Sequence, residues 1–360
     1  MRITLVISSL GPGGAERVLS NMANHWSEQG QEVTLITLAG LGHDHYPLHR
    51  DVVRVTAGFF HTHSGFLDRF VRMVGRILHL RKVVQASRPD VVVSFIDTTN
   101  IRVLLAMFGA SVPVIVSERA NPMRWPLARI WHVLRRLLYS RATLVVVQTT
   151  GMEKWASKFL PSKVVRIIPN AIHLDVDRAD GEGVIAVGRM HPQKGFDLLL
   201  KAWQQVHRLH PNAQLAIVGK GPLRSELEAM AQELGIARSV RFLGVLAEPY
   251  KIMQQHQIFV LASRYEGFPN VLLEAMACGL APVGFDCDFG PRDIIRHRYD
   301  GLLVPPEDVD ALGESLLRLV QDHALTKQLA DNALEVKQRF APEKIMALWD
   351  DLLVEAVRGK

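Results

Sequence analysis

The segment Ser263-Arg264-Tyr265-Glu266-Gly267-Phe268-Pro269-Asn270-Val271-Leu272-Leu273-Glu274 sets two carboxylates eight positions apart, Glu266 in a glycine-proline loop and Glu274 inside the apolar helix that follows. That spacing reads as a nucleotide-sugar site. Asn270 is a natural N-cap, which would leave the N–H groups of Val271 and Leu272 free to face a diphosphate. Glu274, about one turn further in, would accept hydrogen bonds from a ribose diol, while Glu266 would meet the sugar. The competing reading is a surface Glu and an ordinary helix Glu. Against it, Glu274 lies between Val-Leu-Leu and Ala-Met-Ala, where an unpaired carboxylate is costly.

Cations come from a second segment. Val187-Gly188-Arg189 ends a strand pattern and Pro192-Gln193-Lys194-Gly195 leads into a helix, so Arg189 and Lys194 would neutralise a leaving diphosphate, one as a planar fork and the other as a point charge. Gly219, in Gly219-Lys220-Gly221-Pro222, adds glycine-lined rim, although alone it is a generic turn. Near the start, Gly11-Pro12-Gly13-Gly14-Ala15-Glu16-Arg17 follows a strand and opens a helix, presenting bare amides at Gly13 and Gly14 to an anion or a sugar ring. It lacks the third glycine of the dinucleotide fingerprint.

Positioning these residues takes two alternating layers. Short β-rich runs at Ile3–Ile7, Val33–Leu38, Val91–Phe95, Val114–Ser117, Leu144–Gln148 and Val165–Ile168 predict one parallel α/β sheet. After the Pro169–Arg178 connection the pattern restarts at Val184–Val187, Leu215–Val218, Val240–Leu243, Ile258–Leu261, Pro282–Phe285 and Leu302–Val304. Helices are expected near Asp308–Gln321 and Ala324–Phe340, and a last one over Pro342–Arg358 that crosses back. The domains are then 1–172, with 342–360 returning to it, and 173–341. Open sheets bind ligands beyond the carboxyl ends of their strands, so two of them would define an interdomain cleft.

Composition narrows the class. At 360 residues, 48% hydrophobic and 22% charged, the chain is globular and long enough for two cores. Cys278 and Cys287 alone suggest neither a disulfide framework nor a zinc site, and no metal is expected. The first apolar stretch is short for a signal peptide, and no run approaches a spanning helix. Residues 1–178 hold 22 Lys and Arg against 12 Asp and Glu; the remainder holds 20 against 24. Such asymmetry points to a polyanionic partner for one half only: nucleic acid, a membrane surface or a phosphorylated substrate. Between Asp68 and Asp90 the basic residues Arg69, Arg72, Arg76, Arg81, Lys82 and Arg88 alternate with Phe70, Val71, Val74, Ile77, Leu78 and Leu80. A second acid-free stretch, Arg119 to Met152, places Arg124, Arg129, Arg135, Arg136 and Arg141 beside Trp125, Ile130, Trp131, Leu134 and Leu138. Both suit an anionic membrane surface or a lipid diphosphate, or else packed helices with a solvated basic face. His43, His45, His49, His61 and His63 lack a helical ligand pair and read as surface or acceptor-loop residues. With no RNP, KH or zinc-finger pattern, no nucleic-acid partner is expected.

Taken in order, Gly-Pro-Gly-Gly-Ala-Glu, Val-Gly-Arg-Met-His-Pro-Gln-Lys-Gly, Gly-Lys-Gly-Pro-Leu and Glu-x7-Glu span nearly the whole chain. Together they resemble the family 4 glycosyltransferases of the GT-B fold, two doubly wound Rossmann-like domains facing a cleft. The resemblance implies retaining, metal-independent transfer from a UDP-sugar, with no cofactor besides that donor. It also implies roles: Arg189 and Lys194 on the diphosphate, Glu274 on the ribose, Glu266 on the donor sugar, and the Gly13 and Gly14 amides against the donor phosphate. Ser94-Phe95-Ile96-Asp97-Thr98-Thr99-Asn100 and Val116-Ser117-Glu118-Arg119-Ala120-Asn121 are similar to segments of transferases that add N-acetylgalactosamine to polyprenyl-diphosphate-linked glycans, and of related exopolysaccharide and lipopolysaccharide enzymes. There a histidine often follows Ser-Glu and approaches the donor sugar. Here Arg119 stands in its place, able to add positive charge to the catalytic site but not to act as a base. The implied acceptor is a lipid-linked glycan, met by a peripheral enzyme on the cytoplasmic membrane face. A lipopolysaccharide-core transferase and a silent glycan-binding scaffold are the alternatives.

Overall fold

A computed structural model describes residues 1–40, 44–58, 66–124, 128–174, 176–177 and 180–359, with the side chains of 66–72 outside the description. His43, His61, His63, Trp125, Arg178 and the side chains of Arg69, Phe70, Val71 and Arg72 therefore lie outside the described residues. The chain divides into two compact units, Met1–Asn170 with Ile345–Lys360, and Ala171–Lys344.

In the first unit the order is β1 (Arg2–Ile7), α1 (Gly14–Glu28), β2 (Glu32–Thr37), β3 (Val53–Thr56), α2 (Phe66–Ala86), β4 (Val91–Phe95), α3 (Asp97–Ala106), β5 (Val114–Ser117), α4 (Arg129–Leu138), β6 (Leu144–Val147), α5 (Thr150–Ala156) and β7 (Val165–Ile167). The strands form one parallel seven-stranded sheet, β3-β2-β1-β4-β5-β6-β7. β3 is the strand the sequence pattern misses. It sits on the edge, pairs only with β2 and buries none of its four residues, so its composition carries no core signal.

The second unit contains β8 (Val184–Val187), α6 (Phe196–Leu209), β9 (Leu215–Val218), α7 (Arg224–Glu233), β10 (Val240–Gly244), α8 (Pro249–Met253), β11 (Ile258–Leu261), α9 (Asn270–Ala277), β12 (Ala281–Phe285), α10 (Pro291–Ile294), β13 (Leu302–Val304), α11 (Val309–Gln321), α12 (His323–Ala333) and α13 (Val336–Arg339). α14 (Pro342–Arg358) follows, and from Ile345 it belongs to the first unit. The sheet is again parallel, β10-β9-β8-β11-β12-β13. Its strands read as unbroken apolar runs because both faces are covered. Val184 and Ala186 enter one core with Leu215, Ile217, Ile258 and Val260, while Ile185 enters the other with Ala216, Val218, Phe259 and Leu261. The single helix expected over Ala324–Phe340 is two. At the break, Glu335 is held by Arg296 at 2.7 Å and by the Tyr299 hydroxyl at 2.6 Å, a tertiary tie that local helix pattern does not reveal.

Candidate functional site

The topology explains why residues far apart in sequence meet. In the second sheet the strand order reverses between β8 and β11, so the loops leaving these neighbours open at the same strand-end crevice. The β8 loop ends in a 3-10 turn, Pro192–Lys194, and the β11 loop carries Ser263–Glu266. Lys194 Nζ donates to Glu266 Oε1 at 2.6 Å, and Ser263 Oγ donates to the same oxygen at 2.6 Å. Glu266 is only 6% exposed, so its charge is held by these two donors rather than by water. Lys194 and Glu266, expected to serve different parts of a ligand, thus form one ion pair.

Two glycines make the close approach possible. Gly195 has φ +61° and a Cβ there would lie 2.0 Å from the Ala262 carbonyl oxygen; Gly219 has φ +140° and a Cβ would lie 1.9 Å from that of Gly188. Gly219 therefore acts by letting two strand-end loops touch. Its N–H is engaged by the Gly244 carbonyl at 2.7 Å and is not offered to the crevice.

Arg264 ties the two loops together. Its Nη1 and Nη2 fork onto Asp197 at 2.8 and 2.6 Å, Nη1 also reaches the Pro192 carbonyl at 2.8 Å, and Nε meets Glu307 at 3.1 Å. The Arg264 N–H bonds the Gln193 carbonyl, while Gln193 Nε2 returns a bond to the Tyr265 carbonyl. Burial opposes ionisation of Asp197, but the Arg264 bonds prevail and hold its carboxyl below the usual range. The sequence shows Arg264 only as a neighbour of Glu266; its role needs Asp197, in the first turn of α6.

Elsewhere the structure corrects local expectations. Pro269, not Asn270, occupies the cap of α9, and Asn270 is the first helical residue. The Leu272 N–H is not free, because it donates to the Pro269 carbonyl at 3.0 Å. Glu274 is half-buried near the middle of α9, and Arg189 is exposed just past β8. At the start of α1 the Gly13 N–H bonds the Gly11 carbonyl at 2.8 Å, and the Glu16 carboxylate folds over Gly13 so closely that a Cβ there would meet it at 2.0 Å. Burial raises the Glu16 carboxyl above its ordinary value. The anion at this helix start is thus supplied by the chain itself, where the sequence predicts bare amides.

In the first unit, Glu118 and Arg119 leave β5 side by side and part company. Glu118, 1% exposed, accepts the Tyr139 hydroxyl at 2.6 Å and meets Arg135 Nη1 at 3.5 Å. Tyr139 also takes a bond from Asn100 Nδ2 at 3.0 Å, and Asn100 Oδ1 accepts from Ser94 Oγ at 2.7 Å. Burial pushes the Glu118 carboxyl up to about 7, with Arg135 opposing and Asp97 adding to the rise. Arg119 turns instead to Asn170, Nη1 to Oδ1 at 2.7 Å, and its guanidinium lies 3.9 Å from the Phe95 ring centroid. Beside them Ile96 holds φ +73°, rare for a β-branched residue, with its N–H on the Ser117 carbonyl and its own carbonyl on the Asn100 N–H.

Residues 177–336 match the glycosyl transferases group 1 family and residues 13–171 the glycosyl transferase 4-like domain. Over 362 residues, 99% of each chain, the protein is 30% identical to a Campylobacter jejuni alpha-1,4-N-acetyl-D-galactosaminyltransferase that acts on GalNAc-alpha-(1->4)-GalNAc-alpha-(1->3)-diNAcBac-PP-undecaprenol. The chain belongs to the family 4 retaining glycosyltransferases. This transferase is also 28% identical to the lipopolysaccharide core biosynthesis glycosyltransferase LpsE of Rhizobium meliloti, covering 95% of this chain and 96% of the other. Its fold is similar to Anabaena HepE, solved with UDP and glucose (TM-score 0.81, 19% identity, 98% and 99% covered), and to sucrose-phosphate synthase of Thermosynechococcus elongatus (TM-score 0.83, 20% identity, 99% of each). Both sheets of the transferase are those of a GT-B enzyme, which bears out the resemblance read from its motifs.

The basic helices of the transferase divide by exposure. Arg135, counted by sequence among surface charges, is buried with Glu118, the Pro122 carbonyl at 2.9 Å and His132 at 3.1 Å. Arg81 Nη1 bonds the Ala106 and Phe108 carbonyls, and Arg102 lies 5.2 Å from the Trp131 ring. Leu80 and Val84 of α2 and Leu138 of α4 are buried, yet both helices also expose apolar residues. Met73, Val74 and Leu78 of α2, and Ile130, Val133 and Leu137 of α4, all stand open to solvent, with α3 packed against both helices. Among the described residues no helix is long and apolar enough to span a membrane, and no three His, Cys, Asp or Glu side chains gather as a metal site.

Proposed function

We propose that this transferase moves an N-acetylhexosamine or hexose, N-acetylgalactosamine foremost and then galactose or N-acetylglucosamine, from a UDP-sugar to a polyprenyl-diphosphate-linked glycan. It works from the cytoplasmic face of a membrane in surface-polysaccharide assembly. The observation that carries the reading is the Lys194–Glu266–Ser263 cluster at the β8/β11 reversal, the crevice where an open α/β sheet binds its ligand. Lys194 and exposed Arg189 bring positive charge to the donor diphosphate and stabilise it as the glycosidic bond breaks. Glu266, bonded by Lys194 and Ser263, meets the donor sugar; Glu274 takes the ribose hydroxyls. Gly13 and Gly14 serve the donor phosphate, and Asn270, Val271, Leu272 and Gly219 shape the nucleotide pocket. The exposed apolar residues of α2 and α4, bordered by Arg129, Arg136 and Lys82, rest on an anionic leaflet where the lipid-linked acceptor is held.

Similarity to LpsE keeps a lipopolysaccharide-core acceptor in competition, and one experiment separates the two. UDP-sugars are ranked by protection against thermal unfolding, where a ligand at a hundredfold its Kd adds about 2.7 kcal/mol. The best donor is then offered with an undecaprenyl-diphosphate glycan or a lipopolysaccharide core oligosaccharide. UDP-N-acetylgalactosamine and the undecaprenyl acceptor are expected to win; transfer to the core oligosaccharide alone would replace this reading.

A further inference from the structure

At the amino end of β13 the second unit carries a cavity of about 260 Å³ lined by Arg298, Leu302, Arg318 and Leu325. It lies at the opposite end of the sheet from the crevice, which opens past the carboxyl ends of β8 and β11. Three segments build it: the loop entering β13, the C-terminal half of α11 and the first turn of α12. Leu302 is buried and Leu325 half-buried, both packed into the core that α11 and α12 share with the sheet, so the cavity has a fixed apolar wall. Arg298 and Arg318, on its rim, are exposed.

Neither arginine is used inside the fold. Around Arg298 the loop is tied down on both sides: Arg296 donates to Asp300 at 2.6 Å and to Glu335 at 2.7 Å, His297 Nδ1 accepts the Leu303 N–H at 3.0 Å, and the Tyr299 hydroxyl donates to Glu335 at 2.6 Å. Among the described residues the Arg298 side chain bonds nothing. Its backbone nevertheless holds φ +65°, with its N–H on the Gly301 carbonyl at 2.8 Å. Glycine would make that turn without the steric cost a side chain brings, and no contact within the chain offsets the cost of an arginine there. Arg318 repeats the pattern. Glu314 and Asp322 stand four residues before and after it, the spacing of helical ion pairs, yet it pairs with neither, and Asp322 instead caps α12 through the Leu325 N–H at 2.9 Å.

Two unengaged guanidinia beside an apolar wall complement a phosphate ester, with forks for the oxygens and leucines for the carbon stem. The cavity is smaller than the roughly 300–1,000 Å³ of pockets for drug-sized ligands, which suits a small ester and not a whole nucleotide-sugar. We infer that Arg298 and Arg318 form a second anion site, separate from the crevice, that takes a phosphate ester by its oxygens. The site does not depend on the sugar-transfer reading. Its ligand has two sources of the same chemistry, a soluble phosphate monoester or the headgroup of an anionic lipid.

Two probes are applied to the full chain: glycerol phosphate by calorimetry, and phosphatidylcholine vesicles with and without phosphatidic acid by co-sedimentation. Arg298→Gly and Arg318→Gln are each expected to weaken binding by about tenfold or more, the usual weight of hydrogen bonds to a charged group. Arg298→Gly should melt no lower than the wild type, because glycine suits the turn. Lys194→Ala, in the crevice, should leave both probes at their wild-type affinity. Glycerol phosphate binding that falls in both arginine variants names a soluble ester. Vesicle binding that needs phosphatidic acid and falls in both, with no binding of glycerol phosphate, names a lipid headgroup. Failure of the wild type to bind either probe, or wild-type affinity in either arginine variant, overturns the inference. So does a loss in Lys194→Ala, which would put the phosphate in the crevice, or a lower melting temperature for Arg298→Gly, which would give that side chain a task inside the fold.

Discussion

The strand ends of the two units handle charge in opposite ways. Past β8 and β11, a cation and a carboxylate 72 residues apart in sequence form a direct pair, Lys194 with Glu266, and a second layer through Arg264 and Asp197 clamps the loops that carry them. Past β5, a carboxylate and a cation adjacent in sequence avoid each other: Glu118 is absorbed by Tyr139 and Arg135, and Arg119 turns to Asn170 and the Phe95 ring. Sequence proximity therefore says little about which charges compensate. What decides it is where a strand end points each side chain: one sheet pairs charges across loops, the other separates neighbours in sequence.

The largest effect should come from breaking the matched pair. Lys194→Ala is expected to lower turnover at saturating donor by about a hundred- to a thousandfold, in line with loss of one electrostatic stabiliser. It should also lower the melting temperature, because Glu266 is left buried without its cation. Adding Glu266→Gln should recover the melting temperature but not the transfer rate. Recovery of both would mean the pair is structural, and the contrast between the units would collapse.

Next in size is the clamp. Arg264→Ala should cost about ten- to a hundredfold in kcat/KM through misplacement of Lys194 and Glu266, and Arg264→Lys should recover only a part, since a point charge cannot fork onto Asp197. Steady-state kinetics beside UDP affinity would separate this from simple unfolding. Wild-type kinetics in Arg264→Ala would show that the two loops hold themselves.

The first unit offers a pH test. Glu118 ionises near 7 in the folded protein against an ordinary 4.5, so folding favours its protonated form. Its contribution to stability is full below about 4.5 and fades as pH rises through about 7. Melting curves at pH 5 and pH 8 should therefore show a smaller drop for Glu118→Gln than for the wild type. An identical drop would place the titration elsewhere. Smallest of all, Leu137→Glu on α4 should weaken binding to anionic vesicles a few-fold, and wild-type binding should itself fall steeply with salt; salt-independent association would favour a solvated face.

Much of the fold was legible in the chain. β4, β5, β8, β9, β11 and β13 have the ends their apolar runs suggest, because a strand covered on both faces must be apolar throughout. β3 was not legible, since an edge strand exposed along its length has no such requirement. Glu266 and Lys194 were readable as chemistry from their glycine-lined loops, whereas the cap at Asn270 was misread because a proline before it took that position.

Residue types alone determined that this is a sugar transferase with two parallel sheets, for motif order and strand periodicity are properties of the chain read in one dimension. Only the folded chain decided which charges neutralise which. A salt bridge or an orphaned guanidinium depends on distances of a few ångströms and on exclusion of water, and both are set by strand order and packing. The reversal between β8 and β11 brought Lys194 to Glu266. The burial of Tyr139 and Arg135 drew Glu118 away and left Arg119 with no carboxylate partner among the described residues.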